Sequence, residues 1–327
     1  MFSSLINSLI LLGVGIALLI GGAELLIRQV QYLAQRYNIS PLVLGAILLG
    51  FGTSLPEIVV SVFAVINETP LVAYGNAIGS NLLNIGIILG LAACVSSSPL
   101  IIKAQEARIS FVFLGLSMIS IVVFASDMTL VPYEAAISFL LFICCMYLLI
   151  TANRPPTQVT GPGITPNPIK KRRLSLVALM TILGLGAVAY GGEMTVKNAC
   201  ALAYELEVPE QVISLLLVAF GTSLPELVVT IQLAMKKETS LIIGNILGSN
   251  IFNVLLVLPI AYALKPLHIS WMDLYRDGAF MIVLTLILIA LGFAWKGDRR
   301  VHRKGGALMV ATYCIYFSLL IRYALVT

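Results

Sequence analysis

A glutamate stands in the middle of an apolar run long enough to cross a bilayer, and the chain repeats this with the same seven residues. Phe51-Gly52-Thr53-Ser54-Leu55-Pro56-Glu57 returns as Phe220-Gly221-Thr222-Ser223-Leu224-Pro225-Glu226, 169 positions later. A carboxylate at mid-depth costs about 2.5–3.5 kcal/mol on insertion scales and marks a functional site by default. No basic residue lies in the centre of any apolar run to neutralise it. The two glutamates are therefore expected to face each other and hold a cation.

The register extends beyond the heptapeptide. Gly75-Asn76-Ala77-Ile78-Gly79-Ser80-Asn81 matches Gly244-Asn245-Ile246-Leu247-Gly248-Ser249-Asn250 at the same offset, Asn84 matches Asn253, and Glu24 matches Glu193. A register held through three apolar runs without a gap is the mark of a duplication.

Composition says where such a duplication can live. Of the 327 residues 59% are hydrophobic and 11% are charged, and mean hydropathy is +1.02; a soluble domain carries about a quarter charged residues. Ten runs reach the length a bilayer requires: roughly 5–27, 41–66, 71–94, 108–126, 131–151, 174–196, 208–235, 239–264, 278–295 and 306–325. The first is too long for a signal-peptide core and reads as a retained span. The expected fold class is an all-α membrane protein of ten transmembrane helices. Residues 1–151 make the first five-helix repeat, 152–173 a cytoplasmic linker and 174–327 the second repeat. Pro155-Pro156, Gly161-Pro162-Gly163 and Lys170-Lys171-Arg172-Arg173 mark that linker. Cys94, Cys144, Cys145, Cys200 and Cys314 show no C-x-x-C spacing and read as small apolar residues. His268 and His302 fall in loops without metal spacing.

Loop charge orients the chain. Sixteen of the twenty Lys and Arg fall on one side, in the connectors around Arg28–Arg36, Lys103–Arg108, Arg154–Arg173, Lys236–Lys237 and Lys296–Lys304; only Lys197, Lys265, Arg276 and Arg322 fall on the other. Positive-inside places the basic side in the cytoplasm and both termini outside. An odd number of spans per half makes the second repeat enter from the opposite side. Inverted repeats of this kind belong to secondary transporters, with the site at the midplane where the repeats meet.

On a helix, Thr53 and Ser54 would share the face of Glu57, as Thr222 and Ser223 would share that of Glu226. Pro56 and Pro225 lack an N–H, so the carbonyls of Gly52 and Gly221 lose their partners and the helix should kink. Ser80 with Asn84, and Ser249 with Asn253, add oxygens four residues apart. These serines and asparagines fit interhelical packing as well as ligation. The pooled donors are all oxygen, which suits hard cations such as Ca²⁺ and Na⁺ rather than Zn or Cu. Glu24 and Glu193 read as interfacial, near span ends. The glycine pairs Gly21-Gly22 and Gly191-Gly192 read as close helix contacts.

With both Gly-Thr-Ser-Leu-Pro-Glu copies and both Gly-Ser-Asn segments, the chain resembles the calcium/cation antiporter superfamily, in particular its prokaryotic sodium/calcium exchanger branch. The resemblance covers essentially the whole chain. It implies that the second, third, seventh and eighth helices enclose the ions while the first and sixth slide past that core. It implies as ligands Thr53, Ser54, Glu57, Ser80, Asn84, Thr222, Ser223, Glu226, Ser249 and Asn253, with backbone carbonyls of Gly50 and Ala219. Many sodium/calcium exchangers have an aspartate at one of the two positions held here by Asn84 and Asn253, so this site has two carboxylates rather than three.

The expected function is Na⁺/Ca²⁺ antiport across the cytoplasmic membrane by alternating access. The expected partners are Ca²⁺, Na⁺ and the lipid bilayer. No cofactor, nucleic acid or obligate protein partner is expected, and the chain is not expected to be an enzyme. The alternative is Ca²⁺/H⁺ antiport on the same glutamates, against which stand Asn81 and Asn250, where proton-coupled relatives tend to carry an acid. A passive channel fits the inverted repeat poorly, since channels commonly ring a pore with identical subunits.

Overall fold

In lipid every backbone polar group must be satisfied within the segment, and helices do this alone. The computed structural model describes residues 2–153, 172–206, 208, 221–292 and 298–326, and among these helices dominate. In chain order they are α1 Phe2–Tyr37, α2 Pro41–Thr53 and α3 Leu55–Ile66, α4 Pro70–Val95, α5 Ala104–Phe124 and α6 Pro132–Ala152. The second half holds α7 Leu174–Glu205, α8 Leu224–Met235, α9 Thr239–Tyr262, α10 Trp271–Gly292 and α11 Arg303–Val326. Pro41, Pro70 and Pro132 each stand in the first turn, where a missing N–H is harmless.

Among the described residues seven helices are long and apolar enough to cross a membrane, or eight when α2 and α3 count as one bent span. Two further apolar helices, Phe111–Asp127 and Leu224–Met235, are shorter than that. Most of the expected linker (residues 154–171) and part of the expected seventh run (residues 209–220) lie outside the described residues.

The expected kink is present, shifted by a few residues. The axis turns by 44° between α2 and α3, with Ser54 at the break (φ −84°, ψ 6°). Pro56 thereby falls into the first turn of α3 rather than the interior of one long helix.

Burial separates core from shell. The apolar stretch of α9 is 94% buried and that of α4 72%, whereas that of α6 is 22%. α4 and α9 form the centre, and α6 turns Leu140, Ile143 and Tyr147 outward. Both central helices widen into π turns, at Asn84–Leu89 and Asn253–Val257, in matching register; π turns concentrate at functional sites. A third lies at Gly45–Gly50 in α2.

α1 and α7 lie against each other along a stripe of glycines. A Cβ on Gly15 would stand 2.8 Å from Thr195 Oγ1, and one on Gly191 would stand 2.6 Å from Leu19 N. Gly22 and Gly184 are similarly close to Ala187 and Leu26. Small residues let helix backbones approach in a membrane. Both helices extend beyond the expected runs, α1 to Tyr37 and α7 to Glu205.

The connectors hold short β-ladders that the all-α expectation did not include. β1 Leu100–Ile102 pairs antiparallel with β4 Arg299–Val301, and β2 Thr129–Leu130 with β3 Leu267–His268. Each ladder joins two connectors that the charge reading puts on the same side.

Candidate ion-binding site

Glu57 and Glu226 stand in the first turns of α3 and α8, where the helix macrodipole favours negative charge. Both are wholly buried. Neither forms an ion pair among the described residues.

The hydrogen bonds around them repeat across the two halves. Ser54 Oγ donates to Glu226 Oε1 at 3.3 Å, and Ser223 Oγ to Glu57 Oε1 at 3.2 Å. Thr222 Oγ1 donates to Asn76 Oδ1 at 3.0 Å, and Thr53 Oγ1 lies 3.5 Å from Asn245 Oδ1. Asn76 Nδ2 reaches Ser61 Oγ at 3.4 Å, as Asn245 Nδ2 reaches Thr230 Oγ1 at 3.1 Å. Asn84 Nδ2 donates to Asn250 Oδ1 at 3.0 Å, and Asn253 Nδ2 to Asn81 Oδ1 at 3.1 Å. Ser80 Oγ adds a bond to Glu57 Oε1 at 3.3 Å. Ser249 Oγ donates to the Gly50 carbonyl at 3.3 Å.

One expectation changes here. A continuous helix would set Ser54 beside Glu57 and Ser223 beside Glu226. The break at Ser54 turns its hydroxyl away from its own repeat, and each serine instead serves the glutamate of the other half.

Of the nine buried side-chain oxygens without a hydrogen-bond partner among the described residues, four belong to expected ligands: Glu57 Oε2, Glu226 Oε2, Asn84 Oδ1 and Asn253 Oδ1. Buried polar atoms are almost always satisfied, so a group of orphan acceptors needs an explanation. A hard cation, which takes six to eight oxygens in flexible geometry, supplies one. The neighbouring orphan Nδ2 of Asn250 is a donor and gains nothing from a cation.

The described hydrogen bonds gather the expected residues into three groups: Ser80, Thr222 and Ser223 with Glu57; Thr53, Ser54 and Ser249 with Glu226 and the Gly50 carbonyl; and Asn84 and Asn253 with Asn81 and Asn250. The Gly50 carbonyl already accepts from Ser54 N at 3.1 Å as well as from Ser249. Ala219 lies outside the described residues. Sequence reasoning gave no role to Ser61 or Thr230, placed Asn76 and Asn245 in the repeat without a set role, and used Asn81 and Asn250 as an argument against proton coupling. Their signal was the repeat register: each sits opposite a polar residue at the same offset.

The surroundings of α1 and α7 differ. A cavity of about 1020 Å³ runs between α7 and α3, past Glu193, Lys197 and Cys200, and reaches Asn76, Thr222 and Pro225. At the symmetry-related place α1 is fastened. Lys236 Nζ meets Glu24 Oε2 at 2.6 Å, Gln31 Nε2 donates to Glu238 Oε1 at 2.8 Å, and Gln232 Nε2 to the Ile20 carbonyl at 3.0 Å. Glu24 is held also by Arg28, one turn further along the 36-residue α1, at 2.7 Å.

Comparison with known proteins adds to this geometry. A family model described as sodium/calcium exchanger protein matches residues 7–151 and 176–322. The inner membrane protein YrbG of Escherichia coli K12 is 32% identical, over 95% of this chain and 95% of its own length. The sodium/calcium exchanger MaX1 of Methanosarcina acetivorans is 28% identical, over 96% of this chain and 98% of its own. A solved structure of the sodium-calcium exchanger NCX_Mj, soaked with Na⁺ and Sr²⁺, superposes with a TM-score of 0.81 at 28% identity, covering 96% of this chain and 98% of that one.

Proposed function

The chain belongs to the sodium/calcium exchanger family, and on that premise we propose that it exchanges Na⁺ for Ca²⁺ across the cytoplasmic membrane, both ions using in turn the oxygen cluster around Glu57 and Glu226. The observation that carries this reading is the set of four buried acceptors without donors, framed by bonds that repeat across the halves. Two carboxylates balance one Ca²⁺ or two Na⁺. Either load leaves the site neutral, which lowers the cost of holding charge away from water. Competition for one site couples the two fluxes. The hydroxyls of Thr53, Ser54, Ser80, Thr222, Ser223 and Ser249, with the amide oxygens of Asn84 and Asn253, complete the proposed ligand set.

Ten spans arranged as two inverted five-helix repeats accommodate this chemistry. In this reading one glutamate from each half serves a shared site at the midplane, as inverted repeats allow. The cavity beside Glu193 is read as the open path from outside, and the Glu24–Lys236 contact as closure toward the cytoplasm. Movement of the α1–α7 pair along its glycine contacts would exchange the two conditions. Under an inward Na⁺ gradient the net result is Ca²⁺ extrusion.

The test is ⁴⁵Ca²⁺ uptake into proteoliposomes holding the purified protein, driven separately by an outward Na⁺ gradient and an outward H⁺ gradient. Uptake with the Na⁺ gradient alone is expected. Uptake with the H⁺ gradient alone would replace Na⁺ by H⁺ as the counter-ion.

A further inference from the structure

Four asparagines, two from each half, lie buried on α4 and α9, one turn or less from Ser80 and Ser249 along the chain. Asn84 and Asn253 each spend their amide N–H on an asparagine of the opposite half: Asn84 Nδ2 on Asn250 Oδ1 at 3.0 Å, Asn253 Nδ2 on Asn81 Oδ1 at 3.1 Å. In consequence the oxygens of Asn84 and Asn253 are the atoms left without a donor. An amide has one donor end and one acceptor end, so fixing the first dictates where the second points. Asn81 is itself held, because its Nδ2 donates to the Asn250 carbonyl at 3.2 Å. Turning the Asn81 amide over would break that bond and present an N–H to an N–H.

We propose that Asn81 and Asn250 are positioning residues that turn the amides of Asn253 and Asn84 so that their oxygens serve the ion, and that thereby commit both positions to amides rather than carboxylates. This rests on the exchanger reading of the site. It explains why the site holds two negative charges: a carboxylate at 253 would place an oxygen against Asn81 Oδ1, acceptor against acceptor. The commitment is stronger at 253 than at 84. Asn250 has an unpartnered Nδ2 and can turn over to meet a carboxylate at 84, whereas Asn81 cannot turn without losing its bond to the Asn250 carbonyl.

A double-mutant cycle tests this, because coupled residues depart from additivity. Asn81→Ala, Asn253→Asp and the double variant are reconstituted, with the apparent Ca²⁺ KM of exchange and the thermal stability in detergent measured for each. Asn81→Ala frees the amide of Asn253 to turn its N–H toward the ion, and Asn253→Asp sets oxygen against oxygen. Each single change is expected to raise KM by roughly tenfold, the scale of one hydrogen bond. In the double variant a carboxylate offers oxygen in either orientation and no acceptor opposes it, so KM is expected to return toward the wild-type value. Asn84→Asp alone is expected to raise KM less than Asn253→Asp.

A merely structural role for Asn81 gives additive losses and a stability loss that Asn253→Asp does not repair; that result overturns the proposal. Equal effects of Asn84→Asp and Asn253→Asp overturn the asymmetry. If Asn81→Ala does not fold, the comparison of Asn84→Asp with Asn253→Asp still decides. Wild-type protein run alongside separates the two levels. A wild type that exchanges no Ca²⁺ contradicts the reading of function, and the cycle is then read with the cation it does carry.

Discussion

Ser54 donates from the first half of the chain to Glu226 in the second, Oγ to Oε1 at 3.3 Å, and Ser223 returns the bond to Glu57 at 3.2 Å. Each carboxylate thus accepts a bond from the repeat to which it does not belong, and Glu57 accepts one from Ser80 of its own repeat as well. A site built this way exists only when the two halves are assembled, and disturbance in one half reaches the ligand of the other.

Ser54→Ala and Ser223→Ala follow directly. Each removes a hydroxyl that bonds a carboxylate and is proposed to touch the ion. Hydrogen bonds to charged groups contribute about 1.5–3 kcal/mol. At separations above 3.2 Å the lower end applies, and apparent Ca²⁺ affinity should fall roughly tenfold in either variant. Concentration-dependent Ca²⁺ uptake measures it. Equal losses in the two variants are expected from the repeated geometry, and a loss in only one would contradict it.

The contact between Glu24 and Lys236 at 2.6 Å ties α1 to the loop after α8, while Glu193, the counterpart of Glu24, lines an open cavity. Lys236→Ala should therefore shift the population away from the form with the cavity open. Cys200 lines that cavity and reports on it when Cys94, Cys144, Cys145 and Cys314 are replaced. Labelling of Cys200 by a membrane-impermeant maleimide is expected to slow in Lys236→Ala. An unchanged rate would remove the latch from the account.

The α1–α7 contact predicts a contrast between glycines. A Cβ on Gly191 would meet Leu19 N at 2.6 Å and Gly15 O at 2.9 Å, backbone atoms that cannot step aside. Overpacking of this kind costs about 1–3 kcal/mol. A Cβ on Gly13 of the same helix pair meets nothing within 4 Å, and alanine in a helix interior is favoured over glycine by up to about 1 kcal/mol. Thermal unfolding in detergent should show a lower midpoint for Gly191→Ala and none for Gly13→Ala.

The constant offset of 169 positions made much of this site legible in advance. Several of the described side chains expected at the site meet across the halves in matching pairs, as the duplication had already set them out. The pairing partners were not legible. Which hydroxyl meets which glutamate depends on a 44° bend at Ser54, and a proline announces a bend without giving its direction. The amide orientations of Asn81 and Asn250 depend on two helices meeting at the centre, and no spacing along one helix encodes that. The length of α1 was not legible either: hydropathy falls after Ile27, although the helix itself continues to Tyr37. Lys236, the partner of Glu24, has Asn67 as its counterpart in the first half, so the repeat gave no hint of the pair.

The most direct test of the central claim is Na⁺-driven Ca²⁺ uptake in proteoliposomes of wild type, Glu57→Gln and Glu226→Gln, with Glu68→Gln on an exposed loop as the control. Glutamine keeps the shape of the side chain and removes one charge. Uptake is expected to fall to background in both buried variants and to remain at the wild-type rate in the control. Wild-type uptake by a folded Glu57→Gln or Glu226→Gln protein would contradict a site held between these two carboxylates.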